Sequence, residues 1–176
     1  MATYKEIHGV KVHYRDSDAT AIEGDVWYNA STGKLKMYSA VGAWASGTAI
    51  NTGRAGGVGQ GTTTAALFEG GGPADTESWD GSSWTEVANL NTARAENSGA
   101  GTQTAALFFG GKPSPGYTEI WNGASWTEVA DLTTGRFTQA GFGITTAAMC
   151  VGGEVSDAVS AIAETFDGSS WTEGAD

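Results

Sequence analysis

A short phrase that ends in tryptophan occurs three times in this sequence. It reads DGSSW at 80–84, NGASW at 122–126 and DGSSW at 167–171. Equivalent positions lie about 40 to 45 residues apart, a period that is typical of repeat arrays and propellers. The chain is therefore expected to be built from repeated small units. The residues that recur in register are an arginine (Arg54, Arg94, Arg136), a glutamate (Glu77, Glu119, Glu164) and the tryptophan itself (Trp84, Trp126, Trp171).

Each unit of the repeat reads as four short β-strands. In the middle unit the predicted strands are 98–106, 107–111, 118–121 and 125–129. The Asp-Gly or Asn-Gly pair before each tryptophan predicts a tight turn between the third and fourth strands, because these residues tolerate a positive φ. No segment has helical periodicity. The predicted units are 51–90, 91–132 and 133–176.

The recurring side chains are interpreted as architectural. A four-stranded sheet leaves an apolar face exposed to water unless the units stack face to face, and a tryptophan at the same place in each unit would fill every interface. An arginine that reaches a glutamate would add a charge-assisted hydrogen bond within the scaffold. Because architecture explains positions repeated in every unit better than a single active site does, no catalytic residue is predicted.

The order of these features resembles the kelch repeat, the blade unit of kelch-type β-propellers. The middle unit has Arg94, then the apolar strand LFFGG, then TEIW, then Trp126. The resemblance implies an all-β fold with about three four-stranded antiparallel blades over 51–176. Phe166 departs from the pattern, since the other two units have tryptophan there. Closed propellers have about 4 to 8 blades, so an incomplete ring is expected, as the start of a longer propeller or completed by other chains.

Residues 1–50 differ in kind from the repeats. They carry five basic and five acidic residues, whereas the remainder carries four basic and fifteen acidic residues, which accounts for the net charge of −11. The segment GDVWYNASTGKLKMY at 24–38 predicts a β-hairpin. Trp44 lies ten residues before Arg54 and predicts a partial blade at this point. The hairpin resembles short modules of phage tail-fibre and other virion proteins, which implies that 1–50 is an attachment module.

Composition limits the possible partners and cofactors. The acidic repeats contain no cluster of lysine and arginine, so nucleic-acid binding is not expected. Cys150 is the only cysteine and lies in an apolar run, which predicts a buried thiol and excludes an intrachain disulfide. The N-terminus has neither a signal-peptide pattern nor a stretch of about 20 apolar residues. No cofactor is predicted.

Metal and glycosidase sites are the alternatives that the residues favour less. His8 and His13 lie near Asp16 and Asp18, but HGVKVHY reads more simply as a β-strand. The acidic loops lack the alternating oxygen ligands of a calcium loop. SWDGSSW is one residue shorter than the Asp-box phrase of sialidases. No metal-binding residue is therefore predicted.

The connection that follows each Gly-Gly pair varies between units. It lengthens from GPADT to KPSPGYT to EVSDAVSAIA. Dissimilar loops along one rim of a rigid scaffold are typical of a recognition surface. A purely solvated role for these loops is the alternative. The candidate binding residues are Asp75, Lys112, Tyr117, Glu154 and Asp157.

These patterns favour a non-enzymatic phage virion protein, such as a tail fibre or another surface appendage, located in the particle. Its N-terminal module would bind other virion proteins, and its propeller would bind a host-surface glycan or protein, or a further virion protein. It is expected to be oligomeric in the particle, without membrane insertion. A propeller-based glycan-active enzyme and an intracellular kelch-type interaction adaptor are the alternatives.

Overall fold

The structure, a computed structural model, describes residues 13–15, 26–37, 46–113 and 115–174, with only the backbone for 13–15 and 37. The chain divides into two compact units, residues 1–46 and 47–176, which are described separately. Every secondary-structure element in the described residues is a β-strand, and the described strands of the second unit form three four-stranded antiparallel sheets and one two-stranded sheet. The predicted all-β fold class is confirmed.

The first unit contains a three-stranded sheet of β1 (His13–Arg15), β2 (Val26–Asn29) and β3 (Lys34–Met37). Strands β2 and β3 form the predicted antiparallel hairpin, and β1 adds to β2 in parallel. The Asn29 side chain organises the turn, since its Oδ1 accepts a hydrogen bond from Thr32 N at 2.8 Å. Gly33 follows with φ of 66°.

Several predictions for the first fifty residues lie outside the described residues. These are the partial blade at Trp44 and three of the four metal candidates, His8, Asp16 and Asp18. The fourth candidate, His13, lies on β1. The proposed metal site at this end of the chain therefore stays an alternative from the sequence.

The second unit contains three blades, each an antiparallel meander of four strands. Blade 1 consists of β4 (Gly57–Thr62), β5 (Ala65–Gly70), β6 (Thr76–Trp79) and β7 (Trp84–Glu86). Blade 2 consists of β8 (Ser98–Thr102), β9 (Ala105–Phe109), β10 (Thr118–Trp121) and β11 (Trp126–Val129). Blade 3 consists of β12 (Ala140–Ile144), β13 (Ala147–Val151), β16 (Ala163–Phe166) and β17 (Trp171–Glu173). A small hairpin, β14 (Glu154–Val155) and β15 (Ala158–Val159), lies between β13 and β16.

The first two strands of blade 2 end earlier than predicted. Strand β8 ends at Thr102 rather than at 106, because residues 103 and 104 form the turn into β9. Strand β9 ends at Phe109 rather than at 111, because Gly110 and Gly111 have φ of 68° and 92°, outside the β region. The Gly-Gly pair therefore terminates the second strand instead of belonging to it.

The Asp-Gly and Asn-Gly turns have the predicted chemistry. Asp80 Oδ1 accepts hydrogen bonds from the amides of Ser82 and Ser83, both at 2.8 Å, and Gly81 has φ of 95°. These amides, with the Ser82 hydroxyl, lower the pKa of Asp80 to about 2. In blade 2, Asn122 replaces the aspartate and accepts from the amides two and three residues later. A neutral amide thus makes the same turn.

The blades stack with their first strands close together, which explains why these strands are rich in glycine. A Cβ atom on Gly99 of blade 2 would lie 2.5 Å from Gln60 Nε2 of blade 1. A Cβ on Gly141 of blade 3 would lie 2.5 Å from the Phe109 ring. Side chains at these two positions would force the neighbouring blades apart.

Two apolar interfaces hold the three blades together, and we call them seam 1 (blades 1 and 2) and seam 2 (blades 2 and 3). Trp126 lies in seam 1 and Trp171 in seam 2, with 6% and 5% of their surface exposed. Trp84 is only half-buried, because no blade precedes blade 1 among the described residues of this unit. The buried apolar residues of seam 1 are Leu67, Leu90, Ala106, Phe108, Trp121 and Trp126. Those of seam 2 are Ala100, Leu107, Phe109, Leu132, Ala148, Cys150, Phe166 and Trp171.

Candidate functional site

The recurring arginine and glutamate form a buried ion pair in every blade. The N···O distances are 2.7 Å for Arg54 and Glu77, 2.8 Å for Arg94 and Glu119, and 3.0 Å for Arg136 and Glu164. All six side chains are at most 1% exposed. The predicted contact between these positions is confirmed, and its burial keeps the pairs away from any ligand in solution.

Each glutamate also fixes the chain segment that enters its blade. In blade 2, Glu119 accepts hydrogen bonds from the amides of Asn91 at 2.7 Å and Thr92 at 3.3 Å. In blade 1, burial raises the pKa of Glu77, but the amides of Asn51 and Thr52 and the Arg54 guanidinium outweigh it and lower the pKa below its usual value. Glu77 is therefore ionised, and its role is structural.

The arginines lie against the second strand of their own blades. The guanidiniums of Arg54 and Arg94 lie 4.7 Å from the ring centroids of Phe68 and Phe108. In blade 3 the ring is replaced by Cys150, whose Sγ accepts a hydrogen bond from Arg136 Nε at 3.2 Å. Burial raises the pKa of the Cys150 thiol. The predicted buried cysteine is confirmed, and its thiol stays protonated at neutral pH.

The three variable connections lie at the same end of their blades, because each joins the second strand to the third. We call this end the rim; it comprises residues 71–75, 110–117 and 152–162. The third connection is the longest and contains the β14–β15 hairpin. Val159 on this hairpin is 92% exposed.

A charged group spans blades 2 and 3 on the rim, and we call it the Lys112 cluster (Lys112, Glu96, Asp157 and Phe137). Lys112 Nζ lies 3.3 Å from Glu96 Oε2 and 4.0 Å from Asp157 Oδ1. The same nitrogen lies 3.6 Å from the centroid of the Phe137 ring. The lysine side chain is 48% exposed and the aspartate 88%. Such exposed pairs contribute only about 0–1 kcal/mol, so the cluster is available for a ligand at little cost in stability.

The other candidate residues lie outside the Lys112 cluster, although the backbone of Glu154 pairs with that of Phe137. Tyr117 is 38% exposed, and its carbonyl accepts a hydrogen bond from Gly110 N at 3.0 Å. Glu154 is half-buried at the start of β14. Asp75 accepts a hydrogen bond from Asn89 within blade 1, at 3.4 Å. The structure thus brings Lys112 and Asp157 together and places Asp75 in a different blade.

Two members of the Lys112 cluster, Glu96 and Phe137, were not among the residues predicted from the sequence. Glu96 lies two residues after the recurring Arg94, where blade 1 has Gly56 and blade 3 has Thr138. All three have positive φ, of 57°, 75° and 56° respectively. Gly56 indicates a left-handed backbone conformation at this position of the repeat. The glutamate and threonine at the same position in the other two blades give no such indication.

The described residues contain neither a cluster of metal-binding side chains nor a membrane-spanning helix. No group of three or more His, Cys, Asp or Glu side chains among them could hold a metal ion. Within the same part of the chain, no helix is long and apolar enough to cross a membrane.

The fold of this chain is similar to that of a solved structure. No family model matches the sequence, and no curated protein matches it. Among solved structures, the chain is similar to the one described as "Structure of YjhT", with a TM-score of 0.58 and 14% sequence identity. The match covers 84% of this chain and 51% of that chain, so the present chain spans about half the length of its structural neighbour. At this identity the likeness concerns the fold alone.

Proposed function

We propose that this chain is a non-enzymatic recognition protein of a phage particle, in which kelch-like blades display the rim to a host-surface glycan or protein. Residues 1–50 attach it to other virion proteins. The observation that carries the proposal is the contrast between identical buried positions and dissimilar exposed connections in the same three blades.

The buried positions explain why the connections are free to vary. Arg94 and Glu119, 2.8 Å apart, hold blade 2 together from below its rim. Since the ion pair recurs in all three blades, we expect the fold to tolerate a change in the chemistry of any one connection. A scaffold of this kind keeps its shape while its loops change, as recognition proteins require.

The Lys112 cluster supplies the most developed chemistry on the rim. Lys112 offers a half-exposed ammonium group held between Glu96 and Asp157 and above the Phe137 ring. An ammonium and two carboxylates suit a polar ligand with hydroxyl groups, such as a glycan, or a charged protein surface. Tyr117, elsewhere on the rim, adds an exposed aromatic side chain.

The proposal is tested by removing this chemistry without removing a strand. The double variant Lys112→Ser/Asp157→Ser is expected to remain folded and particle-associated and to reduce adsorption to host cells at least severalfold. Glu86→Gln/Glu128→Gln, two exposed changes on the last strands of blades 1 and 2, is the matched control. Unchanged adsorption of the double variant, together with replacements of 72–75 and 156–159 that also have no effect, would contradict the proposal.

A further inference from the structure

Blade 1 has a glutamate at a position that is apolar in the other blades. Glu69 precedes the first glycine of its Gly-Gly pair, where blade 2 has Phe109 and blade 3 has Val151. Strand β5 directs Glu69 toward the same side as Leu67, whose side chain is part of seam 1. Glu69 has 0% exposure. A carboxyl group therefore lies inside the interface between blades 1 and 2.

Among the described residues, this carboxyl group has no cationic partner. Its Oε1 accepts a hydrogen bond from the Gln60 side chain, whereas its Oε2 has no hydrogen-bond partner in the described structure. Gln60 itself is 8% exposed and also donates to the Leu107 carbonyl across the seam, at 3.4 Å. The glutamates of the recurring ion pairs each have an arginine within 3.0 Å. Among the described residues, Glu69 thus has a neutral hydrogen-bond partner, whereas the glutamates of the ion pairs have a cationic one.

The charged groups around Glu69 are already engaged. On the neighbouring strand β6, Glu77 is paired with Arg54 at 2.7 Å, and β4 presents Val58 and Gln60, which are uncharged. Strand β8 of blade 2 contains no titratable residue, and Arg94 before it is paired with Glu119. Burial raises the pKa of Glu69 to about 8, against the smaller opposing effects of Gln60 and Arg54. The group therefore carries a proton at neutral pH.

We propose that Glu69 makes seam 1 a proton-sensitive joint, in which blades 1 and 2 pack tightly while the carboxyl is neutral and separate more readily once it is ionised. An unpaired carboxylate among apolar side chains is strongly disfavoured. Opening the seam would hydrate it. Seam 2, which has Phe109 at the equivalent position, has no such group there and serves as the internal reference.

The pH dependence has a defined sign. Because the folded pKa, about 8, lies above the ordinary value of 4.5, the folded state retains a proton that the unfolded state releases between these values. The contribution of Glu69 to stability is fully present below pH 4.5, falls as the pH rises, and levels off above about pH 8. Between pH 6 and 7 the unfolding equilibrium constant of the wild type, relative to Glu69→Gln, should increase about tenfold.

Denaturant unfolding at several pH values measures this ratio, with Glu86→Gln as a control that removes an exposed carboxylate from the same blade. The ratio of wild type to Glu86→Gln should stay constant within about twofold. A constant ratio of wild type to Glu69→Gln would overturn the proposal. If Glu69→Gln does not fold, the carboxyl carbon resonance of wild-type Glu69 decides: a midpoint near pH 8 supports the proposal, and one below pH 5 overturns it.

Amide hydrogen exchange then tests whether the effect is confined to seam 1. The Gly71 amide donates to the Arg94 carbonyl across seam 1, and the Gly111 amide donates to the Arg136 carbonyl across seam 2, both at 3.0 Å. From pH 7 to pH 9, the protection of Gly71 relative to Gly111 should fall severalfold in the wild type and stay constant in Glu69→Gln. An equal loss of protection at both amides would exclude a local joint.

Discussion

The two seams use the same tryptophan contact but fill the space beside it differently. Trp126 donates its indole N–H to Thr76 Oγ1 across seam 1, and Trp171 donates to Thr118 Oγ1 across seam 2, both at 3.1 Å. In each case the tryptophan of one blade is held by the threonine that precedes the ion-paired glutamate of the previous blade. This polar contact fixes the stacking register, and apolar burial supplies most of the stabilisation.

Beside the tryptophan, each seam contains one phenylalanine from β9. Phe108 faces seam 1, where its ring lies 6.1 Å from that of Trp126, and Phe109 faces seam 2, 4.9 Å from Trp171. The other blade of each seam contributes a smaller or polar residue, Glu69 in seam 1 and Cys150 in seam 2. The two seams thus combine the same tryptophan contact with different neighbouring residues.

Truncation of the two tryptophans should have the largest effect on stability and tests whether both seams depend on the same contact. Trp126→Ala and Trp171→Ala should each lower the free energy of unfolding by about 3–5 kcal/mol, because both remove a buried ring and leave a cavity. Chemical denaturation measures the loss. A loss below about 1 kcal/mol for either variant would mean that its seam does not depend on the tryptophan.

Removing the threonine hydroxyl that accepts the indole N–H tests the polar contact separately from the burial of the tryptophan ring. Thr76→Val and Thr118→Val should each cost about 1–3 kcal/mol, since the shape is preserved while a buried donor loses its acceptor. Thr127→Val, at an exposed position on β11, is the control and should change stability by less than about 0.5 kcal/mol. If the buried variants behave like the control, the indole contact does not hold the register.

The smallest expected effect concerns the backbone conformation of Thr138, at the entry to blade 3. Thr138 has φ of 56° on the exposed surface of blade 3, and its amide donates to the Glu96 carbonyl at 2.7 Å. A β-branched residue is strained in this conformation, which Gly56 adopts freely in blade 1. Thr138→Gly should therefore raise the unfolding free energy by up to about 1 kcal/mol, less than the strain because glycine gains entropy when unfolded. A loss of stability would show that the strain is absent.

The sequence predicts the parts of this fold that local chemistry decides. The turn at Asp80 and Gly81, the burial of Trp126 and the pairing of Arg94 with Glu119 each follow from residue types that recur at a fixed spacing. Recurrence adds information, because a contact required in one blade is required in all of them.

Other features depend on contacts that no local pattern encodes. The parallel pairing of β1 with β2 joins two separate segments, and Lys112 meets Asp157 through the β14–β15 hairpin of the neighbouring blade. The burial of Glu69 is also hidden, since a glutamate before a Gly-Gly pair reads as an exposed strand end. It is buried because both faces of blade 1's second strand are covered or half-covered.

The central claim is that the repeated buried positions form a scaffold and that the variable rim binds the host surface. A competition experiment on host cells tests this claim most directly. The purified chain, added to host cells before the particle, should reduce adsorption of the particle in a dose-dependent way. Lys112→Ser/Asp157→Ser, at the same concentration and with the same unfolding midpoint, should compete at least severalfold less well. Equal competition by wild type and variant, or no competition by the wild type, would contradict the account.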